Sequence, residues 1–196
     1  SDNIKSYLPS SDHKKVYLRD GNGNLYVYRQ GGKLTLMTET LVSSLLGADG
    51  DLTTVYYTDS NGDVIKQKQG GLPVTLIDGE SSALSITSML SFKDGTAYFI
   101  CNRSLADNGI WYMEKDGSVK KFPLKNAGAI TCIALAKDTS VALFEVKNRV
   151  DDGVKSYFLG ANGSLTKIYE DGFAGNHVKA MIKNDGTETN KDVFWR

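Results

Sequence analysis

Two Asn-Arg pairs, Asn102-Arg103 and Asn148-Arg149, stand 46 residues apart, and each is soon followed by an aspartate, Asp107 or Asp152. Guanidinium and carboxylate groups in one place suit a polar ligand, because Arg offers a planar fork of donors and Asp or Asn offers acceptors. Asp20 and Asp59 hold the matching place in two earlier segments. Asn102, Arg103, Asp107, Asn148, Arg149, Asp152, Asp20 and Asp59 are therefore the candidate ligand-binding rim. A plainer role competes with it, and the residue types favour that role. Each Arg would pair with the Asp of its own loop, an exposed contact worth little energetically. A third use is catalytic: two of Asp20, Asp59, Asp107 and Asp152 could serve a carboxylate-based hydrolase. Glycosidic hydrolysis needs carboxyls held about 5 Å or about 6.5–9.5 Å apart.

Other chemistry is sparsely supplied. Asp20-Gly21-Asn22-Gly23-Asn24 and Asp59-Ser60-Asn61-Gly62-Asp63 alternate oxygen-bearing side chains as calcium loops do, but lack the glycine and glutamate of an EF-hand loop. Asp, Asn and Gly are also what ordinary turns prefer, so a plain turn is expected. His13 and His177 have no Cys, His or Glu at ligand spacing. His177 precedes an inner strand and is a weak candidate for a general base in a channel. Cys101 and Cys132 permit one disulfide, although a lone strand Cys usually packs as a small apolar residue. Neither a Gly-x-Ser-x-Gly elbow nor a phosphate-cradling loop occurs. No cofactor and no metal are expected, and the chain reads as a non-enzyme.

Composition narrows the partners. Lys and Arg number 23, as do Asp and Glu, so the formal net charge is zero. Nucleic acid and anionic membranes reward a basic excess, and neither is the expected partner. The length of 196 residues suits one domain with an ample core. No apolar run approaches the roughly 20 residues of a membrane helix.

The elements that would position the rim repeat along the chain. Gly-bearing turns lie between strand-like runs at Gly32, Gly71, Gly117 and Gly163, spaced 39, 46 and 46 residues apart. Before each lies a strand: Leu25–Arg29, Val64–Lys68, Ile110–Glu114 and Val154–Leu159. Another follows each: Lys33–Thr38, Pro73–Ile77, Val119–Leu124 and Leu165–Tyr169. Upstream are strongly apolar runs at Val16-Tyr17-Leu18, Val55-Tyr56-Tyr57-Thr58, Ala97-Tyr98-Phe99-Ile100 and Val141-Ala142-Leu143-Phe144, each preceded by one more strand. Four short antiparallel strands per unit of about 40–50 residues describe a β-propeller blade. The blades read as 4–38, 41–77, 86–124 and 130–169, with a half-blade at 178–196. A β-sandwich is the alternative. Recurring aromatics, among them Tyr17, Tyr56, Tyr98, Phe99, Phe144 and Trp195, are expected to pack between blades. Trp111, on a third strand, is the candidate exception.

Within the second unit, Val55-Tyr56-Tyr57-Thr58-Asp59-Ser60-Asn61-Gly62-Asp63-Val64-Ile65 resembles the Tyr-Trp-Thr-Asp (YWTD) repeat of low-density-lipoprotein-receptor-type propellers and of related bacterial propellers of largely unknown function. Tyr57 stands where that repeat has Trp, and the other units keep only the aromatic positions. The resemblance implies an extracytoplasmic binding or scaffold module with six blades. Four units and part of a fifth lead to the expectation that the segment belongs to a larger ring, or that partner chains cover its open edges. The expected function is recognition of a protein, glycan or other polar ligand at one face of the propeller.

Overall fold

The runs rich in Val, Ile, Tyr, Phe and Thr form short strands, as side chains branched or ringed near the backbone favour a pleated surface. The structure is a computed structural model that describes residues 3–10, 12–38, 40–49, 51–79, 86–102, 108–151 and 153–171. The first four strands are β1 (Ile4–Pro9), β2 (Lys15–Asp20), β3 (Leu25–Arg29) and β4 (Thr35–Thr38). Next come β5 (Val42–Ala48), β6 (Thr54–Asp59), β7 (Val64–Lys68) and β8 (Pro73–Ile77). The third set is β9 (Ile86–Ser91), β10 (Ala97–Cys101), β11 (Gly109–Met113) and β12 (Val119–Pro123). The fourth is β13 (Ala127–Ala136), β14 (Val141–Asn148), β15 (Lys155–Ala161) and β16 (Ser164–Asp171). Each set makes its own four-stranded sheet in simple sequence order. The adjacent strands run antiparallel, so each sheet is an up-and-down meander. A sandwich would pool strands into two sheets; these stay in four. The half-blade at 178–196, with Trp195 and His177 near it, lies outside the described residues.

The chain divides into two compact units, Ser1–Ser91 with Gly117–Val119, and Phe92–Asp116 with Lys120–Arg196. In the first, Tyr17, Leu25, Val27, Val42, Val55, Tyr57 and Ile65 pack together with Leu52. Leu52 takes a left-handed conformation, φ 50°, and its carbonyl accepts the Tyr17 hydroxyl at 2.8 Å. Tyr57 donates to Gln67 Oε1 at 2.9 Å, and Gln67 Nε2 donates to the Met37 and Gly71 carbonyls. Buried polar ends thus find partners, as a low-dielectric core requires. Burial, helped by the charge of Asp49, pushes the Tyr17 phenol up to about 12.

In the second unit every residue of β10 and β11 is buried. Tyr98 packs against Phe92, Tyr112 and Phe144 with ring centroids 4.8–5.8 Å apart. Gly160 lies where a Cβ would stand 2.9 Å from both the Phe144 and Tyr98 rings. Trp111 is no exception to packing, being 6% exposed with the Lys121 ammonium 5.1 Å from its ring centroid. The buried β11 strand leaves it no face for stacking a sugar.

The turns differ in kind. Asn162 (φ 48°) and Gly163 (φ 73°) form a two-residue hairpin between β15 and β16 with both residues left-handed. In the β3–β4 and β7–β8 turns the left-handed residues are Gly31 and Gly70, both at φ 76°, one place before the expected Gly32 and Gly71. Those turns close through Gly32 N–H to Arg29 O and Gly71 N–H to Lys68 O.

Between the first and second strands of a sheet, a carboxylate collects the loop's own donors. Asp12 accepts from the Lys14 amide and the Ser10 hydroxyl, and Asp94 accepts from the amide and hydroxyl of Thr96. Asp49 accepts from the Thr53 amide and hydroxyl and from the Thr54 amide. Donors of this kind favour the charged form. The Ser10 hydroxyl leads in holding the Asp12 carboxyl below the usual carboxylate range. Burial opposes the shift at Asp49 and Asp94, yet the threonine donors hold both below it as well.

Two outcomes follow from these contacts. The unfolded chain takes up protons at these carboxyls before the folded chain does. Their stabilisation is complete above about pH 4 and is lost as pH falls through the folded-state values. Thermal melts of the chain should therefore lose stability below that pH, and Asp49→Asn should blunt the decline; parallel curves for the two proteins would refute the assignment. Gly79 donates its N–H to Asp63 Oδ1 at 2.7 Å, and a Cβ there would meet the Gly62 carbonyl carbon and stand 2.7 Å from the Asp63 nitrogen. Overpacking against backbone costs about 1–3 kcal/mol, so Gly79→Ala should lower the unfolding free energy by that much, seen as a lower urea midpoint at constant slope. An unchanged midpoint would contradict the close approach.

Candidate functional site

The predicted rim falls at one register position, the end of the second strand in each sheet. Asp20 ends β2, Asp59 ends β6, Asn148 ends β14, and Asn102 follows β10. An antiparallel strand finishing there must reverse, and a short side-chain acceptor next to the reversal competes with water for loop amides. Asp20, 1% exposed, accepts the Asn22 and Asn24 amides on Oδ1 at 2.9 and 2.8 Å, and the Asn24 amide group and Tyr26 hydroxyl on Oδ2. The Asn24 side chain leads in holding its carboxyl below the usual range. Asp59 accepts the Asn61 and Asp63 amides at 2.9 and 3.0 Å. Asn148 does the same with Val150 and Asp151 at 2.8 and 3.1 Å.

Asn102 works differently, although it sits 46 residues before Asn148. Its Oδ1 accepts the Ile130 amide at 2.7 Å and its Nδ2 donates to the Ile130 carbonyl at 2.8 Å. It thus mimics a strand's backbone toward β13. Asn108, which the sequence did not single out, donates its amide group to the Gly128 carbonyl. Equal spacing brought Asn102 and Asn148 to matching places but not to one role. Arg149 is exposed, and its amide donates to Asn126 O at 2.8 Å. Arg103, Asp107 and Asp152 lie outside the described residues. Asp20 takes its loop's donors on both carboxylate oxygens and Asp59 on Oδ1, so both residues anchor turns.

Asn148 nevertheless lines a recess. A cavity of about 290 Å³ in the second unit is bounded by Asn148, Lys125, Lys147, Lys167, Phe158 and Glu170, among others. Glu170 is occupied, forming an ion pair with Lys167 and accepting the Ser156 hydroxyl at 3.0 Å. The Lys167 contact leads in holding the Glu170 carboxyl low. Among the described residues Lys125 and Lys147 make no ion pair, and both are exposed. Nearby, Glu145 Oε2 takes Lys155 at 3.1 Å and the Tyr157 hydroxyl at 3.3 Å. The recess therefore presents two ammonium groups without ion partners among the described residues, beside the amides of Asn126 and Asn148 and the apolar side chains of Leu124, Val146 and Phe158.

Of the remaining candidates, His13 occupies a turn at φ 56° with its amide on Ser10 O, and His177 lies outside the described residues. Cys101 and Cys132 are not joined in a disulfide. Cys101 is buried, and the Cys132 thiol, pushed up by burial, lies 3.1 Å from the Ala134 carbonyl oxygen.

No family model matches the chain, and no curated protein matches it. Solved structures do. A chain from a structural study of two prolyl endopeptidases is 14% identical with a TM-score of 0.63, over 91% of this chain and 28% of that one. A structure of the Dos1 propeller is 11% identical with a TM-score of 0.58, over 86% of this chain and 47% of that one. The chain thus spans under half the length of either neighbour. With four separate four-stranded meanders already in view, these likenesses establish the fold as that of β-propeller blades.

Proposed function

We propose that the chain is a non-enzymatic binding module whose fourth blade recognises an acidic polar ligand, a glycan or a protein segment, at the end where β14 turns into β15. The observation that carries this reading is the unequal fate of the charges there. The described acids and amides of the strand-end loops hold loops, or the next blade's backbone, in place, whereas Lys125 and Lys147 border a recess without ion partners among the described residues. Ammonium groups beside two amides and a few apolar side chains offer charge-assisted contacts to a carboxylated or sulfated partner. Acid–base hydrolysis is less well supported, because Asp20 is buried with both carboxylate oxygens taken by its own loop's donors and Asp59 has one oxygen committed in the same way, whereas an acid–base pair must reach a substrate. A place outside the cytoplasm belongs to the same proposal and rests on the YWTD-like stretch at Val55–Ile65.

The test is an array of acidic and neutral glycans together with acidic and neutral peptides. The chain should retain acidic members preferentially, and the double variant Lys125→Glu, Lys147→Glu should lose them while melting at the parent temperature. Both positions are exposed, so charge reversal there leaves the core intact. Retention that ignores the double variant would overturn the site. Time-dependent cleavage of any array member by the parent chain would overturn the non-enzymatic reading.

A further inference from the structure

The first unit holds a second cavity, of about 390 Å³, at the end of the first sheet where β2 begins and β3 finishes. Lys15 and Arg29 both line it, and they are direct cross-strand partners in the β2–β3 register. Side chains directly opposite share one face of the sheet, and like charges so placed repel. Such a pair is usually relieved by a nearby acid. Here the relief is partial. Arg29 Nη2 donates to the neutral Gln69 Oε1 at 2.7 Å, and Lys15 Nζ donates to the Leu52 carbonyl. Neither forms an ion pair among the described residues.

The acids around the cavity do not close this gap. Asp12 also lines it, but its carboxylate is held by the Ser10 hydroxyl and the Lys14 amide. Asp49 is held by Thr53 and Thr54 and reaches Lys15 only through space. Asp51 lines the cavity and acts on Lys15 only through space. Burial and the Arg29 charge both push the Lys15 ammonium down from its usual value, which agrees with two cations held close and poorly hydrated. Lys14 adds a third positive side chain to the lining.

We propose that this cavity is a binding site for a small oxyanion, a carboxylate or phosphate group, bridged between the Arg29 guanidinium and the Lys15 ammonium. A planar oxyanion matches the Arg fork, and a second oxygen reaches the ammonium from the same side. Binding removes the cross-strand repulsion, so the occupied site is also the more stable one. The cavity suits a small metabolite-sized acid better than a polymer, since about 390 Å³ sits near the lower end of small-molecule pockets.

The experiment titrates the full, isotopically labelled chain with inorganic phosphate and, separately, with succinate, at constant ionic strength balanced by chloride. Expected are saturable chemical-shift changes at the Arg29 and Lys15 side chains and at the Gln30 and Lys14 amides, with a rise in melting temperature that grows with ligand concentration. The two titrations show whether phosphate or carboxylate is preferred. Arg29→Gln, exposed and away from the core, should weaken binding roughly tenfold or more and abolish the thermal shift. Lys15→Arg, which keeps the charge, should retain both. Changes that never saturate with either anion, or that survive Arg29→Gln unaltered, would overturn the proposal. Lys147→Glu should leave the shift changes at Arg29, Lys15, Gln30 and Lys14 in place, so the outcome at this cavity is separable from that of the fourth-blade reading.

Discussion

A loop amide donating to the side-chain oxygen of the residue that ends a strand is the contact on which the rest of this fold depends. The strands are short, so the hairpins within each sheet carry much of what fixes which residue faces which. A slip of one residue would turn an entire strand's apolar set to the opposite face. Asp20 and Asp59 hold the β2–β3 and β6–β7 reversals by gathering two amides each. With those ends fixed, Lys15 faces Arg29 and Tyr17 faces Val27 in one sheet, and Tyr57 faces Ile65 in the next. Tyr17, Val27, Tyr57 and Ile65 then meet in the first unit's core. The loop bond is individually modest, of the order of 1 kcal/mol net, but it acts where an error would displace the whole core.

That use of the acids shapes what is left for function. The net charge is zero, which in a random arrangement would leave positive and negative groups equally available. They are not equally available here. Asp12, Asp20, Asp49, Asp59 and Asp94 are hydrogen-bonded into their own loops, while Lys125, Lys147, Lys15 and Arg29 border cavities. Each cavity is built within one unit and from neighbouring elements of the fold, so each can be disrupted by a single exposed substitution.

Much of the fold was legible because it is periodic. Leu25–Arg29, Val64–Lys68 and Pro73–Ile77 are strands with the bounds read from sequence, and most others grew only by a few residues. The β13 strand starts three residues before Ile130, since Ala127 can pair with Asn148 around a bulge. The turn glycines were found but misassigned at Gly32 and Gly71, because a Gly-Gly pair does not say which member is left-handed. The rim positions were legible as a register, yet their role was not. Asp20 reads identically whether its oxygens face solvent or amides, and only the path of the following four residues decides. Asn102 and Asn148 share a spacing but bind different backbones, Ile130 in the next sheet and the local loop. The Lys15–Arg29 pair was within reach, for a hairpin reversing at Asp20–Asn24 sets those two opposite. Lys15 lies one residue before the apolar run that begins at Val16, so that run alone does not show the pair. Trp111 misled because a large aromatic on an outer strand suggests a surface, whereas β11 is buried along its whole length.

Native-state amide hydrogen exchange tests the central claim most directly, because it reads the loop bonds one at a time. The amides of Asn22, Asn24, Asn61 and Asp63 should exchange slowly in the parent chain. Asp59→Ala should release Asn61 and Asp63 while Asn22 and Asn24 stay protected. Exchange of all four at unprotected rates in the parent chain would contradict the account, since the carboxylates would then be free and the strand ends held by something else.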